Sequence, residues 1–165
     1  MRRKKSLTIA ATLSSVGFTV GIILNLVLYS PSSSFVTADY RRFSEAFGDI
    51  LLHNVIAVFL ILILSVIPFV STIVVVLANF VTFGLSISFS IEKFGFIESF
   101  FRYSHGIFEI PAIVLTISLS LRVSGFIVSK LTGGESRKID FERSEFLVIA
   151  ALLSAGALVE SIYLT

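Results

Sequence analysis

Two histidines and a few acidic and carboxamide side chains could do chemistry in this sequence, and they lie inside or beside long apolar stretches. His105 and Glu109 are four residues apart and would share one face of a helix. His53 and Asn54 are neighbours in an earlier apolar stretch, and Glu160 lies in the last one. Because histidine and glutamate can both exchange protons, such a set could relay protons or bind a polar substrate.

The composition places these residues in a membrane. Of the 165 residues, 55% are hydrophobic and 15% are charged, and the mean hydropathy is +0.98. Soluble domains average about 25% charged residues, so this chain lacks the polar surface for water. The net charge of +2 gives no indication of nucleic-acid binding. Cysteine is absent, which excludes disulfides and thiolate metal centres, and the sequence indicates no cofactor.

Five apolar stretches approach the length of about 20 residues that a membrane-spanning helix needs. Pro31 is predicted to end the first, and a turn at Pro68 to separate the second from the third. The first stretch exceeds the apolar run of about 7–15 residues in a signal peptide, so it is predicted to be an uncleaved helix. The sequence thus predicts an all-α, polytopic transmembrane bundle, one integral membrane domain over residues 1–165. The predicted spans are residues 7–30, 50–68, 71–91, 106–130 and 146–163.

Two amphipathic stretches flank these spans and are predicted to be short helices at the membrane interface. For the first stretch, simple extension of the following helix is an equal alternative. The apolar residues of the two stretches are Phe43, Phe47, Ile50 and Leu51, and Phe96, Ile97, Phe100 and Phe101.

The distribution of basic residues predicts the orientation, because cytoplasmic loops carry an excess of lysine and arginine. With the N-terminus in the cytoplasm and the C-terminus outside, eight basic residues lie inside and four lie outside. The inner residues are Arg2, Arg3, Lys4, Lys5, Lys130, Arg137, Lys138 and Arg143, and the outer ones are Arg41, Arg42, Lys93 and Arg102. We therefore expect a multi-pass protein of the cell membrane.

Polar residues within membrane spans are costly and often functional. Several lie at a similar predicted depth, about 6 Å from the outer end of their helix at a rise of about 1.5 Å per residue. The predicted polar cluster consists of Asn25, Asn54, His105, Glu109 and Glu160. One interpretation gives Glu109 a purely structural role, in which a helix N-terminus and an imidazole stabilise its carboxylate and Pro111 lies in the same first turn. A sharper one is a His₂Glu zinc site formed by His53, His105 and Glu109, although no H-E-x-x-H motif is present.

Two further features concern the packing of the bundle. Arg122 and Asn79 are predicted to form an inner polar pair, with snorkelling of Arg122 to the interface as the alternative. Gly17 and Gly21 form a G-x-x-x-G motif, which packs helices within a bundle or between copies of a chain in a homo-oligomer.

Residues 104–113, with the sequence S-H-G-I-F-E-I-P-A-I, together with Leu121-Arg122-Val123, resemble the signature of the stage II sporulation protein M family. His53-Asn54 and Leu77-Ala78-Asn79-Phe80 resemble its asparagine motifs, although the family typically has a glycine where this sequence has Phe80. The resemblance implies a small all-helical membrane protein. Named members act in engulfment during bacterial sporulation, with peptidoglycan-degrading partners. The implied motif positions are Asn54, Asn79, His105, Glu109 and Arg122.

The leading functional hypothesis is a non-enzymatic membrane protein that organises or anchors a membrane-associated complex. Its expected partners are the lipid bilayer and other membrane or envelope proteins, with no catalytic residue assigned. The first alternative is a transporter or lipid-handling permease that uses the intramembrane His/Glu/Asn cluster. The second is an intramembrane metal-dependent hydrolase built on His53, His105 and Glu109.

Overall fold

Helices form along the apolar stretches because a backbone in lipid has to satisfy its hydrogen bonds internally. The computed structural model describes residues 3–28, 43–67, 70–133 and 142–164. Within these residues the regular structure is entirely helical. The helices are α1 (Arg3–Leu28), α2 (Phe43–Leu64), α3 (Val70–Phe94), α4 (Phe96–Arg102), α5 (Gly106–Leu131) and α6 (Arg143–Leu164).

Four of these helices, α1, α2, α5 and α6, are long and apolar enough to cross a membrane. The predicted all-α fold with several hydrophobic helices is therefore confirmed. Helix α3 coincides with the predicted third span and has 25 residues, and its crossing stays a prediction. The predicted stop at Pro31 and turn at Pro68 lie outside the described residues.

One of the two predicted interfacial helices is a separate element and the other is not. Helix α4 follows Gly95, whose φ of 84° lies in the left-handed region that favours glycine. A hydrogen bond of 2.9 Å between the buried hydroxyls of Ser90 and Ser99 ties α4 to α3. By contrast, α2 runs without a break from Phe43, so a separate first interfacial helix was wrong. That stretch extends the second span because its helical periodicity continues into the apolar run.

Helix α5 lies at the centre of the bundle. It contacts α1 and α3 on one side and α2 and α6 on the other, and α1 packs mainly on α3. Every side chain from residue 116 to residue 122 is buried, so α5 is enclosed on all sides at this level. Among the four candidate spans, α5 buries the largest share of its residues and α2 the smallest.

Serine side chains join the central helix to its neighbours. The buried hydroxyls of Ser118 and Ser6 lie 2.8 Å apart and connect α5 to α1. Ser124 donates to the carbonyl oxygen of Ser65 at 2.8 Å, at the end of α2. Such interhelical hydrogen bonds suit a membrane interior, where association has no hydrophobic driving force between apolar helices.

Glycines bring α1 and α3 into backbone contact. A Cβ atom on Gly21 would overlap the carbonyl oxygen of Val81, and one on Gly84 would overlap the carbonyl oxygen of Phe18. A Cβ on Gly17 would lie 2.9 Å from the Cβ of Phe80. The G-x-x-x-G motif therefore packs within the chain. Because α3 occupies this face, the motif does not join copies of the protein.

We expect Gly84→Ala to lower the free energy of unfolding by about 1–3 kcal/mol, because the added methyl group forces the α1 and α3 backbones apart. Gly125→Ala is the matched control, since a Cβ there meets no atom within 4 Å. Alanine raises helix propensity, so this control should be stabilised by up to about 1 kcal/mol. Unfolding in detergent by heat or denaturant measures both changes. Equal stabilities of the two variants would show that the helices do not approach this closely.

Candidate functional site

A cleft of about 400 Å³ lies between α2, α5 and α6, and all but one of its lining residues are polar or charged. It is open on one side, near the N-terminal end of α5. We call it the polar cleft. It is lined by Asp49, Ile50, His53, Asn54, His105, Glu109 and Glu160.

Helical spacing places these residues on three helices. On α2, Asp49 and His53 are four residues apart, as are Ile50 and Asn54, so two adjacent rows of the helix face the cleft. His105 immediately precedes α5 and Glu109 lies in its first turn. Glu160 comes from α6. Asp49 was not among the predicted site residues because it was assigned to the interface rather than to a span, although its spacing of four residues from His53 places both on one helix face.

Glu109 is held in place by groups from both neighbouring helices. The side-chain amide of Asn54 donates a hydrogen bond to Glu109 Oε1. On the other side, a Cβ atom on Gly156 would lie 2.8 Å from Glu109 Cγ, so this glycine leaves the room that the side chain occupies. Glu109 Oε2 lies 4.0 Å from His105 Nε2, and both side chains are largely buried. Glu160 lines the same cleft as His105 and Glu109.

Tyr103 positions His105 from the joint between α4 and α5. Its ring contacts the His105 ring at a centroid distance of 6.0 Å and the Phe83 ring edge-on at 5.9 Å. Burial raises the pKa of the Tyr103 phenol, while a hydrogen bond with Ser86 and the charge of Arg102 lower it. The phenol therefore stays protonated at neutral pH and keeps its hydroxyl hydrogen.

The N-terminal end of α5 suits a carboxylate. The amides of Phe108 and Glu109 both donate to the carbonyl oxygen of His105, at 2.9 and 3.2 Å. Glu109 thus lies near the positive end of the helix dipole, as expected. Pro111 is inside the helix rather than in its first turn, so that part of the prediction was wrong. A proline at this position removes the helical hydrogen bond to Ile107 instead of capping the helix.

Four of the five residues in the predicted polar cluster meet in the cleft, together with His53. Asn25 does not. It is buried between α1 and α3, where its amide donates to Ser88 Oγ at 3.0 Å and to Glu92 Oε2 at 3.5 Å. Depth along a helix predicts the level of a side chain but not the direction in which it points, and α1 faces away from α2 and α6.

The histidines and carboxylates of the cleft are not arranged as metal ligands. Among the residues that the structure describes, no group of three or more His, Asp or Glu side chains could hold a metal ion. The His₂Glu site predicted from His53, His105 and Glu109 is therefore not formed. These side chains come from separate helices and line one cleft, but their nitrogen and oxygen atoms do not meet at one point.

The inner polar group has a different composition from the predicted one. Arg122 is 3% exposed, and its guanidinium lies 2.6 Å from Glu145 Oε2. Glu145 is 5% exposed and also contacts Arg3, at 2.9 Å from its Nε. Asn79 is exposed on α3 instead. Glu145 was not predicted as part of this group, because it precedes the apolar run of the last span. A charged residue at such a position is typical of a loop.

The four helices that are long and apolar enough to cross a membrane support a multi-pass helical membrane protein. The sequence model of Stage II sporulation protein M matches residues 9–163, which is nearly the whole chain. The chain therefore belongs to the stage II sporulation protein M family. No curated protein and no solved structure matches it.

We expect the effects of Gly156→Ala and Glu109→Ala on stability to be coupled. Gly156→Ala adds a Cβ that overlaps Glu109 Cγ, and Glu109→Ala removes that Cγ atom. Gly156→Ala alone should destabilise the protein, whereas in a Glu109→Ala background the new methyl group has room. The coupling energy should be about 0.5–3 kcal/mol in a double-mutant cycle of unfolding in detergent. Gly125→Ala combined with Glu109→Ala is the control and should be additive. Additivity in both cycles would contradict the placement of Glu109 against Gly156.

Proposed function

We propose that this protein organises or anchors a membrane-associated complex and that α2 and the polar cleft form its docking surface. The open face of α2 carries the proposal. Exposed apolar residues continue the row of His53 along the helix at intervals of three and four residues. This apolar stripe consists of Leu52, Ile56, Leu60 and Ile63 of α2.

The stripe has the geometry of a helix-packing face. Residues at such intervals share one side of a helix and can meet a second helix along its length. Its members are 48–59% exposed within this chain, so either lipid or a partner covers them. Beside the stripe the polar cleft supplies hydrogen-bonding groups, which give specificity that lipid contact does not require.

For the orientation, we place the N-terminus and the start of α6 on the cytoplasmic side of the cell membrane. The ion pair between Arg3 and Glu145 supports a common side for the starts of α1 and α6. Lys4, Lys5 and Arg143 then lie at the same end, as the excess of positive charge in cytoplasmic segments favours. The polar cleft accordingly opens near the outer side of the membrane.

Single-cysteine crosslinking tests this docking surface, because the natural chain has no cysteine. We expect Leu52→Cys and Ile56→Cys, labelled with a photoactivatable maleimide in native membranes, to crosslink to one defined protein that mass spectrometry identifies. Leu26→Cys is the matched control, since Leu26 is 75% exposed but lies on α1. The same yield from both helices, or lipid adducts alone, would refute a partner on α2. A product of twice the protein's mass would identify the partner as a second copy.

A second candidate function is transport or lipid handling, and the polar cleft is the observation that favours it. A cavity of about 400 Å³ with Glu109 and His105 at its wall falls in the size range of small-ligand sites, about 300–1,000 Å³. If the protein moves a substrate, purified wild type should accelerate lipid or solute flux in proteoliposomes and Glu109→Gln should abolish it. Equal flux with and without wild-type protein would eliminate this candidate. Neither candidate assigns a catalytic residue.

A further inference from the structure

A second cavity, of about 280 Å³, lies on the other side of α5 from the polar cleft, between α1, α3 and α5. Ala11 and Ser15 at its wall are exposed on α1, so the cavity opens at the surface of the bundle. None of the described residues that line it is charged, and all but two are apolar. We call it the α1 cavity. It is lined by Ala11, Ser14, Ser15, Phe18, Phe80, Ile110 and Val114.

The hydroxyl group of Ser14, at the wall of this cavity, makes no hydrogen bond. Ser14 is 4% exposed, and its Oγ has no partner within the described part of the chain. Other helical hydroxyls bond back to a carbonyl oxygen: Thr19 donates to Ser15 at 2.9 Å and Thr116 donates to Ala112 at 2.8 Å. An unsatisfied buried hydroxyl is unfavourable, above all in a membrane interior where water is scarce. A ligand in the α1 cavity that accepts this hydrogen bond would satisfy it.

The depth of Ser14 restricts the kind of acceptor. Ser14 lies 11 residues after Arg3, the first residue of α1, which corresponds to about 16 Å along the helix at a rise of about 1.5 Å per residue. Because the hydrocarbon core is about 30 Å thick, Ser14 lies near its middle, whereas the polar groups of phospholipids lie in the interfaces. A charged ligand is excluded as well, since the lining offers no opposite charge. The acceptor is therefore a neutral group on a molecule that dissolves in hydrocarbon.

The size of the cavity suits a ring. Apolar protein cavities of about 150 Å³ bind benzene, and the α1 cavity, at about 280 Å³, has room for a double or substituted ring. A carbonyl oxygen attached to such a ring accepts a hydrogen bond without carrying a charge. Quinones combine the two properties, an apolar ring that dissolves in the membrane interior and a carbonyl acceptor. Phe18 and Phe80 add aromatic surface to the wall of the cavity.

We propose that the α1 cavity binds the neutral, carbonyl-bearing ring of a membrane-soluble molecule of the quinone type, and that the Ser14 hydroxyl donates a hydrogen bond to its carbonyl oxygen. Because Ser14 lines the cavity, rotation about its side-chain dihedral brings the hydroxyl to an acceptor there. The site is separate from the polar cleft and does not depend on the docking function of α2.

Two ring compounds that differ in their carbonyl groups test this site. The probes are radiolabelled methylnaphthoquinone and methylnaphthalene, of which only the first accepts a hydrogen bond. The full chain is placed in phosphatidylcholine nanodiscs, binding to empty nanodiscs is subtracted, and affinity is expressed per probe concentration in the membrane. We expect the quinone to bind about tenfold more tightly, as one hydrogen bond in an apolar site allows. Equal affinity for the two probes would overturn the inference.

Variants of the chain locate the bound ring. Ser14→Ala should lower the affinity for the quinone to that for methylnaphthalene, and it preserves the fold because it removes a hydroxyl that has no partner and favours the helix. Ser154→Ala is the matched control, because Ser154 is exposed on α6 and donates to the Ala150 carbonyl oxygen, outside the cavity. Ala11→Leu, at the opening of the cavity, should weaken the binding of both probes. A quinone preference that survives Ser14→Ala, or binding that Ala11→Leu leaves unchanged, would contradict the proposed site.

Two further measurements separate the ring from other carbonyl compounds and detect the hydrogen bond itself. A fatty-acid methyl ester carries its carbonyl on a chain, and we expect it to bind without dependence on Ser14. If the ester binds as tightly as the quinone and loses this affinity in Ser14→Ala, the cavity takes a lipid ester and the ring assignment is overturned. In infrared spectra, the carbonyl stretch of the bound quinone should lie at lower frequency in the wild type than in Ser14→Ala, because a hydrogen bond weakens the carbonyl bond. An identical band in both proteins would show that Ser14 does not donate to the ligand.

Discussion

The need to compensate two charged side chains on one buried helix determines how this bundle is assembled. Helix α5 carries Glu109 near its start and Arg122 thirteen residues later, about 20 Å away along the axis. Neither charge can be left in an apolar interior without a partner. Asn54 of α2 binds the carboxylate and Glu145 of α6 binds the guanidinium. Both helices therefore have to pack against α5, one contact at each end of the central helix.

On the opposite side of α5, helix packing depends on small residues rather than on charged ones. Gly21 and Gly84 let α1 and α3 approach until their backbones touch, and hydrogen bonds such as that between Ser6 and Ser118 join this pair to the central helix. The bundle is thus tightly closed around α1, α3 and α5. Helix α2 remains the most exposed of the four candidate spans, and the polar cleft lies at its edge. The tightly packed helices and the open cleft therefore lie on different sides of the central helix.

This separation bears on the role of the family motif. Arg122 is enclosed and its ion pair with Glu145 accounts for it as a structural residue. His105 and Glu109 lie in the sequence string that resembles the family signature, but they border an open cavity.

The sequence alone determined the membrane character, the helical fold and the shared face of His105 and Glu109, since apolar length and the period of the α-helix act locally along the chain. Tertiary structure decided which helix faces which. Asn25 has the depth of the polar cluster but points toward α3, and Arg122 pairs with Glu145, which precedes the apolar run of the last span. Likewise, the G-x-x-x-G motif packs on Gly84 within the chain. Rotation of a helix about its own axis depends on its neighbours, and in a bundle of mostly apolar helices only a few charges and glycines set that rotation.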